Sequence, residues 1–85
     1  MKKNIVKENS FDFALKIIRV SQQLVNQKKE FVLSKQLLRA GTSIGANIRE
    51  SEHAESMKDF IHKLSIALKE ANETEYWIEL LYRSN

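Results

Sequence analysis

The chain has no cysteine, no proline and only two glycines in 85 residues. Without cysteine there is no disulfide framework and no thiolate metal site. Without proline, and with glycine this scarce, turn signals are few. The abundant Leu, Ile, Ala, Lys and Glu then point to an all-α chain. No apolar run approaches the ~18 residues of a membrane span, so no membrane association is expected. The opening MKKNIVKENS has lysines but no apolar core after them, unlike a secretory signal. These absences predict one cytoplasmic domain over residues 1–85. A domain this small buries roughly 60–65% of its unfolded surface. With disulfides excluded, self-association is the expected supplement to its stability.

What is present is charge, unevenly placed. The net charge is +3. Residues 1–42 carry nine Lys/Arg against three Asp/Glu, and residues 43–85 carry five against eight. Solvated helix faces of opposite sign would attract each other, within one chain or between chains. A basic surface for nucleic acid is the sharper reading. The first is favoured, because no Arg-rich cluster or stacking aromatics accompany the lysines.

Apolar periodicity predicts three helices at about 10–27, 34–52 and 57–82. Residues 1–9 are polar and predict a frayed start, with Asn9 or Ser10 as first cap. Phe11, Ala14, Leu15, Ile18 and Val25 follow helical spacing, with Phe13, Ile17, Val20 and Leu24 beside them, an arc wide enough for contacts on two sides. Phe31 and Val32 in the first connector are expected to cover the end of a core. Ser34 is the expected cap of the second helix. Ser56 with Asp59 resembles a capping box. Phe60, Leu64, Ala67, Ala71, Thr74, Ile78 and Leu81 keep a three–four spacing, the seam of a bundle or coiled coil. Short connectors make consecutive helices antiparallel.

The second helix carries the most information. Gly41 and Gly45 lie four apart on one face, and each costs up to about 1 kcal/mol relative to Ala in a helix interior. Keeping both predicts a neighbour packed unusually close. Beside them runs a polar strip, Arg39, Ser43, Asn47 and Glu50, with Leu37, Ala40, Ile44 and Ile48 alongside. Asn47 and Glu50 are expected to bond to the third helix, at groups such as Asn72, Thr74 or Tyr76, fixing the allowed arrangement.

No residue set carries recognisable catalysis. His53 and His62 are nine apart, and no spacing supplies converging metal ligands. Glu70 and Glu73 lack a pocket that would separate their pKa values. Ser43 has no base at a spacing that would activate it. Gly41 and Gly45 match a membrane dimer motif in spacing only, since Lys35, Arg39 and Arg49 share the helix. Trp77, with Tyr76 and Tyr82, reads as core or subunit interface rather than a base-stacking platform.

Two ordered motifs carry a family resemblance. Leu33-Ser34-x-Gln36-Leu37-x-Arg39-Ala40-x-x-Ser43-Ile44-x-x-Asn47-Ile48-x-Glu50 is the first. Asp59-Phe60-x-x-x-Leu64-x-Ile66-Ala67-x-x-Glu70-x-x-Glu73-Thr74 is the second. Together they resemble the four-helix-bundle proteins of intervening sequences in bacterial 23S ribosomal RNA genes, over about residues 10–82. The resemblance implies an antiparallel helical bundle assembling into a ring, typically a pentamer, with no enzymatic activity. It also implies a relative, the accessory variability determinant protein of diversity-generating retroelements, which binds a reverse transcriptase and nucleic acid. Members usually have Gly where Ser51 stands and often Ala where Arg49 stands. They also carry a fourth helix, which the resemblance leaves to be supplied from elsewhere or lost in a shortened form.

The expectation is therefore an all-α, antiparallel up-down bundle, with three helices in this chain. The expected function is non-enzymatic homo-oligomeric assembly, with no cofactor, metal or small-molecule substrate. Its packing surface is the glycine face of the second helix and the seam of the third: Gly41, Ser43, Ile44, Gly45, Asn47, Ile48, Glu50, Leu64, Ala67, Ala71, Trp77, Ile78 and Leu81. The alternative is a nucleic-acid adaptor contacting phosphates through Lys16, Arg19, Lys28, Lys29, Lys35 and Arg39.

Overall fold

The computed structural model describes residues 4–84, in three helices: α1, Ile5–Lys28; α2, Leu33–Ser51; and α3, Met57–Arg83. No strand occurs among the described residues, as the sequence predicts.

The first helix begins earlier than its apolar pattern indicates. The Asn4 side chain accepts a hydrogen bond from the Lys7 N–H at 3.0 Å and caps α1, so neither Asn9 nor Ser10 is the cap. Residues 5–9 are helical rather than frayed, and residues 1–3 lie outside the described residues. Tertiary contacts hold this polar turn in place. Asn4 Nδ2 donates to Glu52 at 3.1 Å, and Lys7 Nζ pairs with the same carboxylate at 3.1 Å. Ser10 is buried, its hydroxyl donating to the Lys7 carbonyl at 2.9 Å.

The first connector is organised by Glu30. Its N–H donates to the Leu24 carbonyl at 2.9 Å and closes the end of α1, where Lys29 adopts a left-handed conformation at φ 56°. Its carboxylate accepts from the Leu33 and Ser34 N–H groups at 3.0 and 2.7 Å. Glu30 thus does the capping expected of Ser34, whose hydroxyl instead donates to the Glu30 carbonyl at 2.7 Å. A carboxylate at a helix amino terminus also meets the positive end of the dipole. With the connector tied down this way, Phe31 and Val32 are 59% and 71% exposed and cover no core. At the start of α3, Ser56 accepts from the Asp59 N–H at 3.1 Å, as a capping box requires. Asp59 reaches back one residue further than usual, to the Glu55 N–H at 3.2 Å.

Helix α2 packs against both others. Among the described residues, no Cα of α1 comes within 8 Å of one in α3. The bundle is therefore open: α2 is its spine, α1 and α3 are its flanks, and the Cα atoms span 43 × 25 × 16 Å. The fully enclosed apolar residues are few, namely Ile17, Leu37, Ala40 and Ala67.

The α1–α2 contact uses the two glycines. A Cβ at Gly41 would stand 2.8 Å from both Cγ1 and Cγ2 of Ile17, and one at Gly45 would stand 3.2 Å from the Ser10 hydroxyl. The close neighbour expected from the sequence is α1 of the same chain, so the glycine face is not open to another copy. The α3 seam also needs correction. Ala67 and Thr74 are buried with Glu70, whereas Phe60, Leu64 and Ile78 stay more than a third exposed. Bonds from α2 to Glu70 and Glu73 turn α3 so that half its seam faces past α2.

Two outcomes test this account. Gly41→Ala gains up to about 1 kcal/mol of helix propensity but forces Ile17 aside at about 1–3 kcal/mol, so a net loss is expected. Gly45→Ala meets a serine hydroxyl that can rotate and should be closer to neutral. Thermal unfolding of both variants checks the order. For pH, the Leu33 N–H outweighs the opposing effect of burial and, with the Ser34 N–H, holds the Glu30 carboxyl below its ordinary value. Its stabilisation is full above the unfolded pKa and is lost as pH falls through the lower folded value. Denaturant titrations over a pH series should show a decline that begins as pH enters the ordinary glutamate range and is complete only below it. Glu30→Gln should be less stable at neutral pH and decline less.

Candidate assembly interface

Between α2 and α3 the polar strip forms a clamp. Arg39 Nη1 donates to Glu70 at 3.0 Å and Nη2 to Glu73 at 2.7 Å. Burial works against the Arg39 charge, but the two carboxylates outweigh it and hold the guanidinium above its ordinary pKa. Lys63 reaches Glu50 at 3.2 Å.

The rest of the strip does not cross. The Ser43 hydroxyl donates to the Arg39 carbonyl at 2.6 Å and Asn47 Nδ2 to the Ser43 carbonyl at 2.8 Å, both within α2. Thr74 donates to the Glu70 carbonyl at 2.7 Å on its own helix. Glu50 bonds to the third helix as expected, but at Lys63 rather than at Asn72, Thr74 or Tyr76; Asn47 does not cross, and Arg39 crosses to Glu70 and Glu73. Short side chains satisfy themselves on the preceding turn, and only the long ones span the gap.

Two apolar surfaces remain open. The first is the concave side between the flanks. Leu37, Ile44 and Ile48 share the strip of α2 that looks into it; Leu37 is buried and the two isoleucines are half-buried. From α3, Leu64 and Ile78 are partly exposed, while Ala71, Trp77 and Leu81 are half-buried. Trp77 packs edge-on to Tyr76, ring centroids 5.2 Å apart, and its indole N–H is enclosed with no acceptor among the described residues. Of the predicted packing residues, Ile44, Ile48, Leu64, Ala71 and Ile78 belong here, and Gly41 and Gly45 do not.

The second surface is a groove between α1 and α2 on the opposite side, floored by Phe11, Ala14, Ile18, Thr42 and Ala46. Phe11 is 51% exposed, and the Arg49 guanidinium lies over its ring at 5.8 Å. This groove was not singled out from the sequence. Its signal is a second three–four repeat on α1, Phe11-Leu15-Ile18-Gln22-Val25, one residue out of phase with the Ser10-Ala14-Ile17-Ser21-Leu24 line nearest α2.

Of the candidate phosphate contacts, Lys16, Arg19, Lys28, Lys29 and Lys35 are exposed. Arg39 leaves the set, because Glu70 and Glu73 neutralise it. Both histidines are exposed, and no group of His, Asp and Glu could hold a metal among the described residues. No described helix is long and apolar enough to cross a membrane.

Arg39→Met strips Glu70, which is only 8% exposed, of its cation. A loss of about 1.5–3 kcal/mol in unfolding free energy is expected, the range for hydrogen bonds to charged groups. Glu73→Gln, at a more exposed carboxylate, should cost less; urea unfolding of the two variants tests the ranking.

Comparison with known proteins places this architecture. No curated protein matches. A crystal structure of a protein of unknown function from the S23 ribosomal protein family of Bacteroides thetaiotaomicron superimposes with a TM-score of 0.94 at 64% identity, covering 95% of this chain and 75% of that one. Residues 2–85 match the family described as 23S rRNA-intervening sequence protein. The fold, its motifs and this match agree: the chain belongs to the 23S rRNA-intervening sequence protein family.

Proposed function

We propose that this protein is a non-enzymatic assembly unit whose copies associate into a homo-oligomer. The observation that carries the reading is the gap between α1 and α3. Among the described residues four apolar side chains are enclosed, while Phe11, Phe60, Leu64, Leu68 and Ile78 stay more than a third exposed. Apolar surface of this extent is characteristic of a protein contact. A second copy would cover such surface, and a closed ring, five copies in the form that the family resemblance implies, would satisfy every copy equally. Sedimentation velocity and native mass spectrometry at micromolar concentration should show a defined oligomer. A monomer throughout that range would overturn the reading.

A second reading, a nucleic-acid adaptor, is supported by charge. Glu30, Glu50, Glu52, Glu70 and Glu73 are engaged internally. Lys16, Arg19, Lys28 and Lys35 have no partner among the described residues, so the outward charge is positive. Such cations contact phosphates without reading bases, alone or beside a protein partner such as a reverse transcriptase. RNA or DNA binding should then appear at low salt and fall steeply as salt rises. Absence of binding at low salt ends this reading.

A further inference from the structure

We propose that the outer edge of α1 in one copy docks beside the outer edge of α3 in the next, with Lys16 and Arg19 facing Glu75 and Glu79. This contact rests on the self-assembly reading above and specifies how the copies meet.

Helical periodicity defines the two edges. Ser10, Ile17 and Ser21 are the buried residues of α1, on the side of α2. Leu15 and Arg19, two residues on either side of Ile17, therefore project away from α2, with Lys16 flanking them. On α3 the buried line is Ala67, Glu70 and Thr74. Its opposite side carries Leu68, Asn72 and Tyr76, with Glu75 and Glu79 flanking. Leu68 is 65% exposed.

The spine sets the relative heights. Ile17 lies against Gly41, and Arg39 binds Glu70 and Glu73. Leu15 therefore stands about level with Leu68, and Arg19 with Asn72, each to within about one turn, ~5 Å, which puts Glu75 about one turn beyond Arg19. Both flanks run antiparallel to α2, so α1 and α3 are parallel. A neighbouring copy rotated about an axis along the helices keeps these heights. It brings Leu15 to the shallow depression lined by Ser65, Leu68, Lys69, Asn72, Glu73 and Tyr76, the first four of which have the spacing that receives a knob in a coiled coil. It also brings Arg19 within about one turn of Glu75, inside the reach of its long side chain.

Charge identifies the occupant as a second copy. Lys16, Arg19 and Glu75 have no partner among the described residues, and Glu79 has only the exposed Arg83 on its own helix, at 3.0 Å. At neighbouring heights the α1 edge presents Lys16 and Arg19 and the α3 edge presents Glu75 and Glu79, although Asp12 on the first and Lys69 on the second carry the opposite sign. Because the edges differ, the contact is head-to-tail and closes a ring or extends a chain. The apolar residues supply the affinity, and the charges set register and partner.

The test is sedimentation equilibrium of the full chain and four variants, with circular dichroism to follow helix content. Arg19→Glu and Glu75→Lys should each weaken self-association about tenfold or more, as like charges meet. The double variant Arg19→Glu/Glu75→Lys should regain the parent affinity to within about threefold, because the pair is restored with its signs exchanged. Leu68→Asp should abolish association. All three positions are exposed, so helix content should be unchanged; should a reversal reduce it, the neutral Arg19→Gln and Glu75→Gln variants take its place, each expected to associate more weakly than the parent. A parent chain that is monomeric throughout overturns self-assembly itself. An oligomeric parent whose single reversals associate as tightly, or whose double variant fails to recover, overturns this edge contact and leaves self-assembly standing.

Discussion

The absence of side chains at Gly41 and Gly45 sets the distance between α1 and α2. Ile17 fills the space over one glycine and Ser10 the space over the other. This approach lets a small chain without disulfides make one tight contact from few residues, and dense packing is where dispersion contributes most. It also orients α1. With Ser10, Ile17 and Ser21 turned toward α2, the larger Phe11, Leu15 and Ile18 are left looking outward. The tightness of the internal contact and the apolar character of the outer surface have one cause.

The other side of the spine is held differently. There the helices are joined by charge, with Arg39 spanning two carboxylates one turn apart and Lys63 meeting Glu50. Partly exposed ion pairs contribute modestly to stability. Their geometry is directional, however, and it fixes the rotation of α3. That rotation buries Ala67 and Thr74 and leaves Phe60, Leu64 and Ile78 on the open side. Packing on one flank and charge on the other together hold a spine with two arms that do not meet.

An open arrangement of this kind leaves broad faces of α1 and α3 available to other chains, the feature on which the assembly reading rests. Family membership fits this view without supplying an activity, since the similar crystal structure is itself of a protein of unknown function. Two of the cations on α1 that a nucleic-acid adaptor would use, Lys16 and Arg19, are ones that a neighbouring copy would neutralise. The two readings therefore compete for one surface.

Helix number and class were legible in the amino acids, because apolar periodicity, scarce glycine and missing proline are local signals. So were the close approach at Gly41 and Gly45 and the Ser56 cap. The caps by Asn4 and Glu30 were not, because each depends on contacts or chain direction beyond the apolar pattern: Asn4 is held by Glu52, distant in sequence, and Glu30 reaches forward across a turn. The partners of the polar strip were also hidden. Any of Arg39, Ser43, Asn47 and Glu50 could cross to α3 by spacing alone, and side-chain length measured against the interhelical gap selected Arg39 and Glu50. Most of all, composition could show an excess of apolar surface but not its location. Which face is used internally and which is left open follows from helix rotation, and rotation is set only when the three helices pack.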